Sequence, residues 1–215
     1  GKYALTANEG EPNAAYVIDP PGSVSIIEVA TVSTPGAART VGFERFDEPG
    51  QRKKLEQEGV RVFGPDATVA QDLEPEYIAI DRNKAYVTLQ EANAIAIINI
   101  DDATVEKIVG LGLKDYSLPG NALDVRDNDG VATILSKSVF GMYQPDAIAA
   151  FRGNGKTYLV MANEGDAREY PGSPGYLEAF RIGTNVANPP LLDAMVFPDA
   201  ATLKTNAQLA RLNIS

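Results

Sequence analysis

Glu74-Pro75-Glu76-Tyr77-Ile78-Ala79 is answered 70 residues later by Gln144-Pro145-Asp146-Ala147-Ile148-Ala149, a proline and an acid leading each time into an apolar run. A second apolar run follows in both places and ends in an acidic loop. Ala85-Tyr86-Val87 leads to Thr88-Leu89-Gln90-Glu91-Ala92-Asn93, and Tyr158-Leu159-Val160 leads to Ala162-Asn163-Glu164-Gly165-Asp166, with Glu91 and Glu164 separated by 73 residues. The loop peptide also stands near the start, as Ala7-Asn8-Glu9-Gly10-Glu11. Self-similarity at a nearly fixed spacing is the mark of a repeat architecture. The shared layout is Pro-acid, apolar run, turn, Tyr-rich apolar run, acidic loop, apolar run.

Outward from these motifs, short runs rich in Val, Ile, Tyr and Ala recur between Gly, Pro, Asn and Asp. Strands are expected at Tyr3–Ala7, Ser23–Val29, Val60–Phe63, Tyr77–Ile80, Ala85–Leu89, Ala94–Ile100, Val105–Leu111, Ala147–Phe151, Tyr158–Ala162, Tyr176–Ile182 and Leu191–Phe197. Helix is scarce: the candidates are Pro49–Glu58, with charges dense at helical spacing, and Thr202–Leu212. Strands grouped by about four predict an all-β fold built by radial repetition, a β-propeller. Pro-acid, strand, turn, strand align as strands A and B of a blade, and Ala94–Ile100 and Val105–Leu111 supply C and D. Blades of ~40 to 50 residues leave two insertions, over 30–73 and 112–143. The expectation is one domain over residues 1–215, a partial ring of about three blades with units at about 1–73, 74–143 and 144–215. The incomplete ring, and a start that reads as a turn entering a strand, predict a piece of a longer protein. The rest of the same propeller, or a second chain, would complete it.

Composition narrows the chemistry. Nineteen basic against twenty-nine acidic residues give a net charge of -10, which disfavours nucleic acid and anionic lipid and favours cations. Neither Cys nor His occurs, which excludes disulfides, thiolate metal sites, the Ser-His-Asp triad and the usual zinc ligand sets. A bound metal would take carboxylate, carbonyl and water oxygens, the ligand set of Ca²⁺ or Mg²⁺. No run approaches eighteen continuous apolar residues, so no membrane span is expected.

In an antiparallel hairpin the end of strand B lies beside the start of strand A. The spacing therefore gathers Glu74, Glu76 and Glu91 at one rim position, Asp146, Glu164, Asp166 and Glu169 at the next, and Glu9 and Glu11 at the first. Carboxylates at close range repel by several kcal/mol in a low dielectric and attract a divalent cation. The same residues also suit turns in their own right, since Asn-Glu-Gly is a good turn sequence. Arg168, two residues past Asp166, reads either as a salt-bridge partner or as a fork gripping a phosphate or carboxylate. Asp124, Asp127 and Asp129 fail the EF-hand spacing before Gly130 but could line an irregular Ca²⁺ loop. Asn213-Ile214-Ser215 has the glycosylation pattern.

Taken with Leu5-Thr6-Ala7-Asn8-Glu9-Gly10-Glu11-Pro12, Ala70-Gln71-Asp72-Leu73-Glu74-Pro75-Glu76-Tyr77, Phe140-Gly141-Met142-Tyr143-Gln144-Pro145-Asp146 and Asn163-Glu164-Gly165-Asp166-Ala167-Arg168-Glu169-Tyr170, the chain resembles the choice-of-anchor I family of bacterial extracellular proteins. That family is related to the mesenchyme-specific cell-surface glycoprotein of echinoderm skeletogenesis and to an atypical, large bacterial alkaline phosphatase. The resemblance implies an exported or surface-attached β-propeller domain, of which this chain is about the first half. It also implies calcium-assisted phosphoester hydrolysis for those relatives called alkaline phosphatases. The leading expectation is a secreted or cell-surface module binding Ca²⁺ through its acidic rim, with a structural or matrix role. A calcium-dependent phosphoesterase is the alternative, with Arg168 stabilising charge on oxygen and a phosphoester as ligand. A lactonase-like hydrolase rests on fold analogy alone.

Overall fold

The computed structural model describes residues 2–29, 35–183 and 191–215. Three strands, β1 (Tyr3–Asn8), β2 (Ser23–Val29) and β3 (Pro35–Gly42), form an antiparallel sheet in that order. A 3-10 turn at Glu44–Asp47 and two short helices, α1 (Gln51–Gln57) and α2 (Val69–Asp72), lead to four more strands. These are β4 (Pro75–Asp81), β5 (Lys84–Leu89), β6 (Ala94–Asn99) and β7 (Thr104–Gly110), an antiparallel meander in chain order. Four two-stranded ladders follow, all antiparallel where the register is known. β8 (Leu113–Asp115) pairs with β9 (Phe140–Met142), and β10 (Pro145–Gly153) with β11 (Lys156–Asn163). β12 (Glu169–Tyr170) pairs with β13 (Tyr176–Leu177), and β14 (Phe180–Arg181) with β15 (Asn213–Ile214), which comes after the single turn of α3 (Ala200–Leu203). The fold is all-β with antiparallel sheets, as expected; the described residues do not close a ring.

The chain divides into two compact units. The first holds residues 1–113, 142–166 and 172–175, and the second 114–141, 167–171 and 176–215. In the first, the apolar alternation of the strands buries one continuous core. Val24 and Ile26 of β2, Phe43, Leu73, and Ala85, Val87 and Leu89 of β5 have no exposed surface, and Ile98 and Ile108 join them. Burial of each large side chain contributes roughly 1.5–3 kcal/mol. Asn154-Gly155, with φ of 49° and 75°, closes β10 on β11 in two residues, the Asn-Gly turn that matches strand twist.

β10 lies against β4 and β5, and β4 lies against β1. Asp81 at the end of β4 accepts hydrogen bonds from Thr157 Oγ1 at 2.6 Å and from Arg152 at 3.2 Å, tying the second meander to the β10–β11 hairpin.

Several expected elements do not form. Val60–Phe63 buries Val60 and Val62 without pairing as a strand; the run is used as an anchor beneath α1, and Arg61 N–H bonds to the Ala92 carbonyl at 2.8 Å. Tyr176–Ile182 breaks into two ladders because Glu178 turns inward to bond the Arg168 backbone. Leu191–Phe197 forms a turn instead, with the Asp193 side chain taking the Met195 N–H and its carbonyl the N–H groups of Val196 and Phe197. This is the local competition for backbone bonds that Asp offers. Of Thr202–Leu212 only the first residues are helical, and Thr205 Oγ1 donates to the Thr202 carbonyl where the helix stops. No third or fourth strand therefore pairs with β11 among the described residues, in contrast to the complete second meander. β3 was not anticipated, since Pro35-Gly36-Ala37-Ala38 carries few strand formers.

Candidate functional site

The Pro-acid motif does more than start a strand. Pro75 pairs with Leu89 and Ile78 with Val87, three steps on β4 against two on β5. Pro145 pairs with Asn163 and Ile148 with Met161, the same displacement. Each motif is thus a β-bulge with its acid, Glu76 or Asp146, in the extra step. Bulges re-aim side chains and free a backbone group. At Tyr77 the freed N–H is taken by the Thr88 hydroxyl at 3.0 Å, and Thr88 is wholly buried.

Glu76 is half-buried at the sheet end. With its amide turned in the sense that satisfies its hydrogen bonds, Gln90, itself 4% exposed, donates to both Glu76 carboxyl oxygens at 2.9 Å. Burial first, and then the charges of Glu91, Glu9, Asp146 and Asp166, push the Glu76 carboxyl up to about 8. Glu9 is raised too, first by burial and then by Glu11 and Asp166. Six of the nine acids expected at the rim, Glu9, Glu11, Glu76, Glu91, Asp146 and Asp166, thus act on one another within the first unit, whereas Glu169 opens β12 in the second. Glu74 is buried just ahead of β4, and Glu164 stands exposed at the end of β11. Among the described residues no group of three acids forms a ready metal cage. The acids converge as charges and leave their carboxylates apart.

The three acidic loops are not equivalent. Asn8 and Asn163 both end a strand and are followed by a glutamate and a left-handed glycine, Gly10 at φ 82° and Gly165 at φ 83°. In the middle loop the left-handed residue is Asn93, at φ 49°. The register sets Leu89 opposite Pro75 where Asn163 stands opposite Pro145, an offset of 163 − 89 = 74 residues against 73 for the sequence match. Glu91 is therefore one step out of line with Glu164, and is buried. Asn93 is the joint of this region: its Oδ1 accepts from the N–H groups of Tyr143 at 2.8 Å and Gln144 at 3.0 Å, and its Nδ2 donates to the Gly112 carbonyl at 2.8 Å. Gln144 in turn donates to the Asp166 carbonyl. Sequence reasoning passed over Thr88, Gln90, Asn93 and Gln144. Only the position of Gln144 directly before a repeated Pro-acid pair offered a signal.

Arg168 lies in the second unit, 2% exposed, with Nη1 3.4 Å from Glu178 Oε2. It takes the salt-bridge role of the two read from the sequence. The suggested Ca²⁺ loop is likewise occupied from within. Asp124 accepts from the N–H groups of Arg126 and Thr133, Asp127 binds Arg181 and Arg211, and Asp129 pairs with Arg126 at 2.6 Å. The two guanidiniums hold the Asp127 carboxyl well below the usual carboxylate range.

No helix among the described residues is long and apolar enough to cross a membrane. A comparison with curated proteins finds no match. The choice-of-anchor I domain family, whose theme is extracellular and surface-associated, matches residues 1–215. That match spans the two bulged Pro-acid strands, the acidic loops and the second unit alike, and the chain belongs to the choice-of-anchor I domain family.

Proposed function

We propose that the chain forms successive blades of an extracellular or cell-surface β-propeller whose acidic rim takes a divalent cation, Ca²⁺ before Mg²⁺. The four-stranded meander in chain order supports the blade, and the stacking of β10 on β4 supports radial succession. The observation that carries the cation reading is Glu76: its burial, and then the charges of four further carboxyl groups from the three repeats, hold it protonated near neutral pH. A cation relieves that repulsion, and oxygen-only ligands of flexible geometry suit Ca²⁺ better than the strict octahedron of Mg²⁺. Glu76, Glu9, Asp146 and Asp166 would supply the carboxylates, with Glu11 and Glu164 reaching from the exposed loops. The role in this reading is structural, fixing the rim of a surface or matrix module.

A calcium-dependent phosphoesterase draws on the same rim, but the burial of Arg168 against Glu178 gives that reading less support. The test is Ca²⁺ titration by calorimetry on the wild-type chain and on Glu76→Ala and Glu164→Gln, followed by assay of the same samples with a phosphomonoester. Saturable Ca²⁺ binding weakened by Glu76→Ala, without phosphate release, is the expected result. Absence of Ca²⁺ binding at millimolar ion sinks the rim; phosphate release that depends on Ca²⁺ would favour the enzyme.

A further inference from the structure

Asn154-Gly155 is the one Asn-Gly pair in the sequence. It forms the tip of the β10–β11 hairpin, with φ of 49° and 75°, and both residues are exposed. Gly153 and Lys156 flank it in register and exchange the closing hydrogen bonds of a two-residue turn, which leaves the Gly155 N–H outside the ladder. Nothing covers that nitrogen: a Cβ built on Gly155 would meet no atom within 4 Å.

The turn itself does not call for asparagine. β4 and β5 close in the same two-residue register through Arg82-Asn83, with Arg82 at φ 58° where Asn154 stands in the later hairpin. The other asparagine at positive φ, Asn93, is buried, bonded at both ends of its amide and followed by alanine. Asn154 alone combines exposure, a glycine after it and an uncovered nitrogen on that glycine. Two cations also stand at the turn. Arg152 Nη2 lies 3.5 Å from the Gly155 carbonyl oxygen, and Lys156 is the next residue. Positive charge beside the Gly155 nitrogen favours its deprotonated form.

We propose that Asn154 is a site of intramolecular covalent modification, its side-chain amide giving way to aspartate and iso-aspartate, and that the change loosens the β10–β11 hairpin from β4. The Gly155 nitrogen gives up its proton and attacks Cγ of Asn154. The bond from Cγ to the side-chain nitrogen breaks, and that nitrogen takes up a proton and leaves as ammonia. Water then opens the cyclic imide. Breaking the imide bond at Cγ yields aspartate; breaking it at the main-chain carbonyl yields iso-aspartate, whose chain runs through the former side chain. Iso-aspartate lengthens the turn by one chain atom, so the closure between Gly153 and Lys156 no longer fits. Both products also set a carboxylate beside Arg152, in competition with Asp81, which now accepts its hydrogen bond at 3.2 Å. The proposal stands apart from cation binding.

The purified chain is incubated at pH 7 and at pH 9, the chymotryptic peptide 152–158 is followed by mass spectrometry, and released ammonia is assayed. The peptide should gain about one mass unit and separate into aspartate and iso-aspartate forms, faster at pH 9. After conversion, Gly153 and Lys156 should exchange their amide hydrogens at least about tenfold faster. Asn154→Arg, which copies the turn of the other hairpin, should leave this peptide unchanged in mass. Should that variant not fold, a free peptide with the sequence of residues 152–158 supplies the reference for the wild-type chain. Conversion of the free peptide with none in the folded chain overturns the proposal, as does ammonia traced to another asparagine while this peptide keeps its mass. Full conversion with unchanged exchange at Gly153 and Lys156 overturns the loosening of the hairpin.

Discussion

Glu76→Gln should stabilise the metal-free protein, and only above the ordinary carboxylate range. The wild-type carboxyl is pushed from 4.5 to about 8, so the folded state holds a proton that the unfolded chain releases. Below pH ~4.5 both states are protonated and nothing is lost. As pH rises toward 8 the folded state gives up stability relative to the unfolded one, and above 8 the loss is complete. At about 1.4 kcal/mol per tenfold in proton affinity the unscreened loss would be about 5 kcal/mol; for a half-exposed group solvent screening brings it to ~1–2 kcal/mol. Glutamine keeps the shape of the side chain and leaves the charge out. At 2–4 °C per kcal/mol for a chain of this size, the variant should melt ~2–8 °C above wild type at pH 9 in chelator. The two melting curves should converge near pH 4. Thermal melts by circular dichroism across that range are the assay. A variant less stable than wild type at pH 9, or a difference indifferent to pH, would refute the crowding of charge at the rim.

Other perturbations test the scaffold. Thr88→Val keeps the volume but strands the bulged Tyr77 N–H, and should cost about 1–3 kcal/mol in chemical denaturation. Gly22→Ala drives a methyl into the Leu73 carbonyl and Pro75 Cδ and should lose roughly 1–3 kcal/mol by the same measurement. Arg168→Ala leaves Glu178 as a buried charge and should destabilise the second unit by about 3–5 kcal/mol; a variant of native stability would mean that the pair is not structural. Asp127→Ala removes the common partner of Arg181 and Arg211. The expected result is faster amide exchange at Ile182 and Phe180, with the first unit unaffected.

The legible parts of the fold were those in which one residue type at one position has a strong local consequence. Proline followed by an acid marked the starts of β4 and β10, and the runs rich in Val, Ile and Tyr between turn residues marked the hairpins. The second meander could be read strand by strand because its strands are short apolar runs bounded by turn residues. What escaped depended on partners distant in sequence. Leu191–Phe197 has a strand's composition, but Asp193 offers its backbone a turn, and no strand among the described residues pairs with it. Val60–Phe63 is apolar for the sake of the core beneath α1. At the rim, residue type announced the acids, but not their ranking. Glu91 and Glu164 look alike in sequence and differ by one step of register, which buries the first and exposes the second. Gln90, a neutral amide, sits against the most perturbed carboxyl and carried no periodic or motif signal.

The rim as a cation site is tested most directly by titrating Ca²⁺ into the chelator-stripped chain at pH 7 in two buffers of different ionisation enthalpy. Since Glu76 holds its proton at that pH, binding should be saturable and should release about one proton per ion, and Glu76→Gln should abolish the proton release. Absence of any Ca²⁺ heat at millimolar ion, or binding that releases no proton and is untouched by Glu76→Gln, would contradict the account.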